Sequence, residues 1–365
     1  MILMNDFKAE PAELAAAMAA AAARVLASGW YVLGKEVQAF ERDWAAACRV
    51  SHCVGVANGM DAIELALRGL DIGPGSEVIT TPMTAFATVL AIHRAGATPV
   101  LADIDPDSGL LSRDSVQRCI TPRTRAVVLV HLYGQLRDVP QWVELCRERG
   151  ILLIEDCAQA HLAAWDGRIA GGFGAAGAYS FYPTKNLGAI GDAGALVTDS
   201  EALAQKVERL RNYGQSERYV HPELGMNSRL DELQAALLGA RLAWLDRFTT
   251  RRLAIAARYR QEIDNPRIRL LAAPQQDRSH SYHLFVLLSD ARDSLSRHLA
   301  ERGVQTHIHY PIPAHLQVPF RELGRDPRGL PHTERHAGAC LSIPCHPQMS
   351  DDDVSRVIEA VNAHR

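Results

Sequence analysis

The chain has 365 residues, 47% hydrophobic and 22% charged, with a formal net charge of −3. Those values describe an ordinary globular protein with room for two domains. With no long run of one sign, the charge argues against nucleic acid or an anionic membrane as the main partner.

The first predicted element is an Ala-rich helix around 14–23. Asp6, Glu10 and Glu13 precede it where a signal peptide needs positive charge, and it is too short to span a bilayer. A turn over 28–34, bracketed by glycines, leads into a helix over 35–48. Strands and helices then alternate. Strands are predicted at 53–56, 77–80, 99–102, 126–130, 151–154, 178–181 and 195–198. Helices are predicted at 61–70, 88–95 and 139–149. Repeated strand–helix units give an open, mostly parallel sheet covered by helices, an α/β fold. From residue 201 the pattern turns helical, over 230–245 and 250–263. A boundary near Asp246 divides a large domain, 1–245, from a smaller C-terminal α+β domain, 246–365. The latter carries strands at 283–288 and 305–309 and helices at 294–302 and 351–363. Seven scattered cysteines, an odd number, predict reduced thiols and a cytoplasmic protein.

The chemistry concentrates in 151–188. Ile151-Leu152-Leu153-Ile154 is a continuous apolar run, as in a strand buried on both faces. Ligands of such sheets sit beyond the carboxyl ends of the strands, where Asp156 would stand. Lys185 follows in a loop. A carboxylate beside a pyridine nitrogen keeps it protonated, and a lysine forms a Schiff base with an aldehyde, which together suggest pyridoxal phosphate (PLP). Taken singly, Asp156 is more simply a cap and Lys185 a solvated charge. Asn58-Gly59-Met60 turns a strand into a helix. Gly59 permits close backbone approach, and the first helical N–H groups suit a phosphate. Ser180 is a further phosphate donor. Gly172 to Gly177 fits G-x-G-x-x-G but precedes a strand, so it reads as a flexible turn into the Lys185 loop and not as a dinucleotide site. Asn227-Ser228-Arg229 precedes a long helix, which Asn or Ser could cap. The segment 306–315 concentrates His307, His309, Tyr310 and His315, either as a polar wall for a substrate or as a structural proline-rich loop. Metal readings there, and at Cys340, Cys345 and His346, lack a complete ligand set.

These motifs in this order resemble the DegT/DnrJ/EryC1/StrS family of PLP-dependent sugar aminotransferases, a branch of the aspartate aminotransferase fold (PLP fold type I). The resemblance covers nearly the whole chain. It rests on Tyr31-Val32-Leu33-Gly34, Ala57-Asn58-Gly59, Ile154-Glu155-Asp156-Cys157-Ala158-Gln159-Ala160-His161, Ser180-Phe181-Tyr182-Pro183-Thr184-Lys185-Asn186-Leu187-Gly188 and Asn227-Ser228-Arg229-Leu230-Asp231-Glu232. It implies that Lys185 forms the Schiff base and shuttles the proton, and that Asp156 pairs with the pyridinium nitrogen. Gln159 would lie beside the ring's phenolic oxygen. Gly59, Ser180 and the Met60 backbone would hold the phosphate, and Asn227 would reach it from the neighbouring subunit of a homodimer. Two departures stand out. Met60 replaces the family's usual threonine, and Ala85 follows Thr84 where an aromatic often stacks on the ring, leaving Phe86 one place later. His309, Tyr310, His315 and Arg229 are the expected substrate residues. L-glutamate would give its amine, leaving the cofactor as pyridoxamine phosphate (PMP). A nucleotide-linked keto-sugar would then accept it, a 3-keto-6-deoxyhexose being favoured. A 4-keto sugar or an aminocyclitol is the alternative. Sugar dehydratases of the same fold replace the lysine with histidine, so Lys185 argues against that reading.

Overall fold

The protein is described by a computed structural model of residues 1–365. Its strands are β1 (His52–Val56), β2 (Glu77–Thr80), β3 (Thr98–Leu101), β4 (Thr124–Val130), β5 (Leu152–Asp156), β6 (Ala164–Trp165), β7 (Arg168–Ile169), β8 (Ala176–Ser180), β9 (Gly194–Thr198), β10 (Arg269–Leu270), β11 (Phe285–Leu288), β12 (Gly324–Arg325) and β13 (Cys340–Ile343). Eight of them form one sheet in the order β1-β9-β8-β5-β4-β2-β3-β12. Only β9 runs against its neighbours. The expected α/β class, a mostly parallel sheet between helices, is what the chain forms.

Alternation along the strands sorts side chains onto two faces. Val78, Val128 and Ile154 pack on one face with Ile63, Leu67 and Ile92, from the helices Gly59–Gly69 and Phe86–Arg94. Ile79, Val127 and Leu153 pack on the other with Val116, Trp142 and Leu145. Period two therefore puts Asp156 on the face of Ile154, and Glu155 on the face of Leu153. A second sheet, β10-β11-β13, is antiparallel. Phe285, Leu287 and Leu341 on its strands meet Ile255, Tyr259, Leu295 and Val357 from three helices. No helix is long and apolar enough to cross a membrane, and all seven cysteines are free and buried.

Several expectations change. The strand predicted at 305–309 reduces to one bridge, His307 with Ser342. Pro311 and Pro313 lack the N–H groups a longer ladder needs. β13 takes that place in the small sheet. It follows the helix Pro331–Ala339 with no turn residue between, so no local signal separates the two. The helix Arg113–Cys119 buries only Ser115, Val116 and Cys119, too few apolar positions to show a period. Two segments cross the boundary expected at Asp246. Ile2 bridges Val304 and joins the core of the second sheet, and β12 extends the large sheet beside β3.

Polar ties fasten this crossing. Asp103, buried after β3, accepts from Ile104 N, from His332 N (3.0 Å) and Thr333 N (2.9 Å), and from Thr333 Oγ1 (2.7 Å). It thus caps the helix Pro331–Ala339 from more than two hundred residues away in the chain. Asp326 accepts from Arg118 and Ser115, which holds its carboxyl down at about 2 against the opposing pull of burial. Replacing Asp103 by alanine leaves three donors of that helix start, two of them on buried Thr333, without this partner. The Asp103→Ala protein is expected to lose about 2 kcal/mol of stability, read as a lower denaturant midpoint at unchanged slope.

Candidate active site

At the carboxyl end of β5, Asp156 is 6% exposed. Its Oδ1 accepts from Ala158 N at 3.1 Å and its Oδ2 from Thr88 Oγ1 at 2.8 Å. Gln159, one turn on, accepts from Tyr133 N at 2.6 Å and donates to Tyr310 OH at 3.2 Å. Burial, and secondarily the nearby Asp156 charge, push the Tyr310 phenol up to about 12, so it stays protonated.

Lys185 is half-buried in the loop after β8, and its Nζ has no partner within the chain. Burial lowers its pKa from the ordinary 10.5 to about 8, although the Asp156 charge opposes the shift. The loop is held by its neighbour. Asn186 Nδ2 donates to Ser281 O at 3.1 Å, and its Oδ1 meets His283 Nδ1 at 3.2 Å.

Asn58-Gly59-Met60 turns β1 into a helix. Asn58 Oδ1 caps the helix Gly59–Gly69 through Asp61 N at 2.8 Å. The N–H groups of Gly59 and Met60 are left without any acceptor in the chain. A Cβ on Gly59 would stand 2.6 Å from Ser180 Cβ, so only glycine lets this helix start approach β8. Ser180 Oγ accepts a long bond from Tyr182 N and donates to nothing. Two free N–H groups at the start of an eleven-residue helix, with a free hydroxyl beside them, are the donor set a phosphate requires. Ser228 Oγ accepts from Ala57 N at 3.1 Å and so ties the 227–229 segment to this turn, while Asn227 itself is exposed. A free amine, a buried carboxylate and an anion cradle together fit PLP.

His309 Nδ1 lies 2.8 Å from Ser342 Oγ, and burial lowers its pKa to about 4. Its carbonyl accepts from Tyr133 OH at 2.7 Å. Three expected site residues are used differently. Phe86 starts its helix with the ring stacked on Phe320, 4.9 Å between centroids, and borders a cavity of about 140 Å³ shared with Thr84, Tyr310 and Ile312. His315 is 2% exposed and paired with Glu334 at 3.2 Å, so its ring forms no open polar wall. Arg229 donates to Asn212 at 3.2 Å and lies over the Tyr213 ring, away from the Lys185 loop's own contacts. The glycine-rich segment is not a loose turn either. The N–H groups of Gly171, Phe173 and Gly174 converge at 2.7–2.9 Å on Glu155, which also meets His131 Nε2 at 2.9 Å. Burial alone would raise the Glu155 carboxyl, but these donors hold it below the ordinary value.

Tyr133 and His283 carry no local pattern that marks them, and His161 ends the Asp156 motif without a role assigned to it from sequence. Tyr133 takes a left-handed φ of 64° and links Gln159 to His309 and His336. Burial, then the Lys185 charge, keep His283 and His161 neutral, His161 at about 3 inside a cage of Trp44, Tyr179 and Phe181.

The low Lys185 pKa has a direct consequence. Below about pH 8 the group is an unreactive ammonium, and above it a free amine. In cofactor-free protein, acylation of Lys185 followed by peptide mass spectrometry is expected to rise with a midpoint near pH 8. A profile matching that of exposed Lys8 would show that burial does not tune this amine.

The comparisons with known proteins cover nearly the whole chain. The sequence pattern of the DegT/DnrJ/EryC1/StrS aminotransferase family matches residues 13–362. The chain is 46% identical over 358 residues to a dTDP-3-amino-3,4,6-trideoxy-alpha-D-glucose transaminase of Streptomyces venezuelae, covering 98% of this chain and 94% of the relative. It is 45% identical over 341 residues to a dTDP-3-amino-3,6-dideoxy-alpha-D-galactopyranose transaminase of Aneurinibacillus thermoaerophilus, covering 93% of each. Its structure superposes on the crystal structure of S. venezuelae DesV in complex with a ketimine intermediate with a TM-score of 0.95 at 45% identity, over 99% and 97% of the two chains. With its fold, its motifs and its whole length in agreement, the chain belongs to the DegT/DnrJ/EryC1/StrS family of PLP-dependent sugar aminotransferases.

Proposed function

We propose that this enzyme moves the amino group of L-glutamate onto carbon 3 of a nucleotide-linked 3-keto-6-deoxyhexose, or a close relative, in amino-sugar biosynthesis. The observation that carries the reading is the pairing of a partner-free Lys185 amine with buried Asp156 beside the free N–H groups of Gly59 and Met60. The names of the two relatives support carbon 3 and a dTDP-linked sugar. The cavity bordered by Phe86, Ile312 and Ala314 supports a methyl group in place of a hydroxymethyl.

When bound, PLP supplies a reactive carbonyl carbon and a ring that accepts electrons. The chain's residues do the rest. Gly59 N, Met60 N and Ser180 Oγ would bind the phosphate. Asp156 would hold a proton on the ring nitrogen. Gln159 would lie beside the ring's phenolic oxygen. Lys185, neutral at mildly alkaline pH, would be the nucleophile and would carry the proton at Nζ in each half of the exchange. Tyr310 and His309 exclude water and orient the sugar. The neutral state of His309 lets it accept or donate one bond without burying a charge. Residues 1–245 would hold the cofactor, and 246–365 would bring Tyr310 and His309 over it.

The working unit we propose is a homodimer in which Asn227 completes the partner's phosphate site. Exposed Asn227 and the individually exposed apolar side chains of Trp30, Tyr31, Tyr219 and Leu224 support this. The seven free, buried thiols suit a cytoplasmic enzyme.

The deciding experiment is the visible spectrum of purified protein with PLP, before and after L-glutamate. A band that bleaches on adding glutamate supports the donor half-reaction, and no band even with excess PLP overturns the reading. Turnover should then be faster with a dTDP-linked 3-keto-6-deoxyhexose than with its 4-keto isomer. Lys185→Ala is expected to cut multiple turnover by about a thousandfold or more. Asn227→Ala should weaken PLP binding about tenfold, one lost bond to a charged group, with the dimer intact by sedimentation. Unchanged affinity would remove Asn227 from the phosphate site.

A further inference from the structure

Three buried side chains form a line of hydrogen bonds behind the cofactor pocket. Thr84 Oγ1 lies 2.9 Å from Thr88 Oγ1, and Thr88 Oγ1 lies 2.8 Å from Asp156 Oδ2. Thr84, Thr88 and Asp156 are 5%, 1% and 6% exposed, so water does not compete for these groups. Sequence spacing explains the line. Thr88 stands in the first turn of the helix Phe86–Arg94 and Thr84 just before its N-cap Ala85, and that helix packs on the face of β5 that carries Asp156.

The direction of the line follows from chemistry. Thr88 donates its single hydroxyl proton to Asp156 Oδ2. With that proton committed, the bond between the two threonines must run from Thr84 to Thr88. A threonine inside a helix commonly turns its hydroxyl back to the carbonyl four residues earlier. Thr88 bonds sideways instead. Asp156 is thereby held at both oxygens, by Ala158 N at Oδ1 and Thr88 at Oδ2, and cannot rotate about Cβ–Cγ without breaking one bond.

We infer that Thr88 is a positioning residue for Asp156, with Thr84 as the second link: together they fix the carboxylate plane and leave one of its lone pairs aimed at the ring nitrogen of PLP. This rests on the reading that Asp156 meets that nitrogen. It assigns the two threonines a role in cofactor recognition without contact between Thr88 and the cofactor.

The test compares affinities of the full-length protein for PLP and for its 1-deaza analogue, in which the ring nitrogen is replaced by C–H. The wild-type chain should prefer PLP. Thr88→Val, close in shape but without the hydroxyl, should bind PLP about tenfold more weakly and the analogue unchanged, the size of one lost bond to a charged group. Thr88→Ser should keep the wild-type preference. Thr84→Val should narrow it by a smaller factor, and it decides the matter should Thr88→Val not fold: an unchanged preference in Thr84→Val then overturns the inference. An equal loss for both ligands in Thr88→Val, or no loss for either, assigns Thr88 to packing alone and also overturns it. Wild-type protein that binds both ligands equally would instead defeat the pairing of Asp156 with the ring nitrogen, and protein that binds neither would defeat the PLP reading itself.

Discussion

Two adjacent carboxylates end β5, and the geometry of a strand sends them to opposite faces. Both are buried, and a buried carboxylate is costly unless donors surround it. Much of the surrounding structure supplies those donors. On one face Glu155 gathers three backbone N–H groups from the glycine-rich segment and the ring of His131. On the other face Asp156 has only Thr88 and Ala158 N, and so keeps acceptor capacity for a ligand. Glu155 is a saturated structural anion, Asp156 an unsaturated one. Backbone N–H of His131 also donates to Asp156 O, so the residue that pairs with Glu155 pins the neighbouring carboxylate's main chain.

The same economy of charge governs Lys185. No carboxylate touches its Nζ, and burial moves its pKa toward the working range of a base and nucleophile. The imidazoles near it add no further positive charge. His161, His283 and His309 are all held neutral, mainly by burial, with the Lys185 charge adding to the effect. A cluster of imidazoles around a lysine is tolerable only in this neutral form.

Tyr133 joins the two halves of the molecule at the site. Its backbone N–H orients Gln159, its hydroxyl reaches the His309 carbonyl and meets His336, and its left-handed backbone lets it do both. Asp103 and Asp326 fasten the same C-terminal segment further out. The wall that carries Tyr310 is therefore set by polar ties from the large sheet as well as by the core of the small one.

By itself, the sequence determined the repeating strand–helix order, the carboxylate at the end of an apolar strand, the glycine turn before a helix and the lysine loop. These are local signals: period two or 3.6, and residues whose backbone freedom or charge is rare in context. Helices at 35–48 and 139–149 and the strand at 77–80 are legible to the residue, because their apolar period runs unbroken between clear turn residues. Only tertiary structure decided which partner each polar side chain takes. It committed Phe86 to Phe320 and His315 to Glu334, wrapped the G-x-G-x-x-G segment around Glu155, and gave the third place in the small sheet to β13. It also brought Tyr133, His283 and Thr88 to the site from positions without local pattern. The partners in these pairs lie from 16 to 234 residues apart in the chain. Periodicity reports which face a residue presents, and burial energetics alone, once the faces meet, select what it meets there.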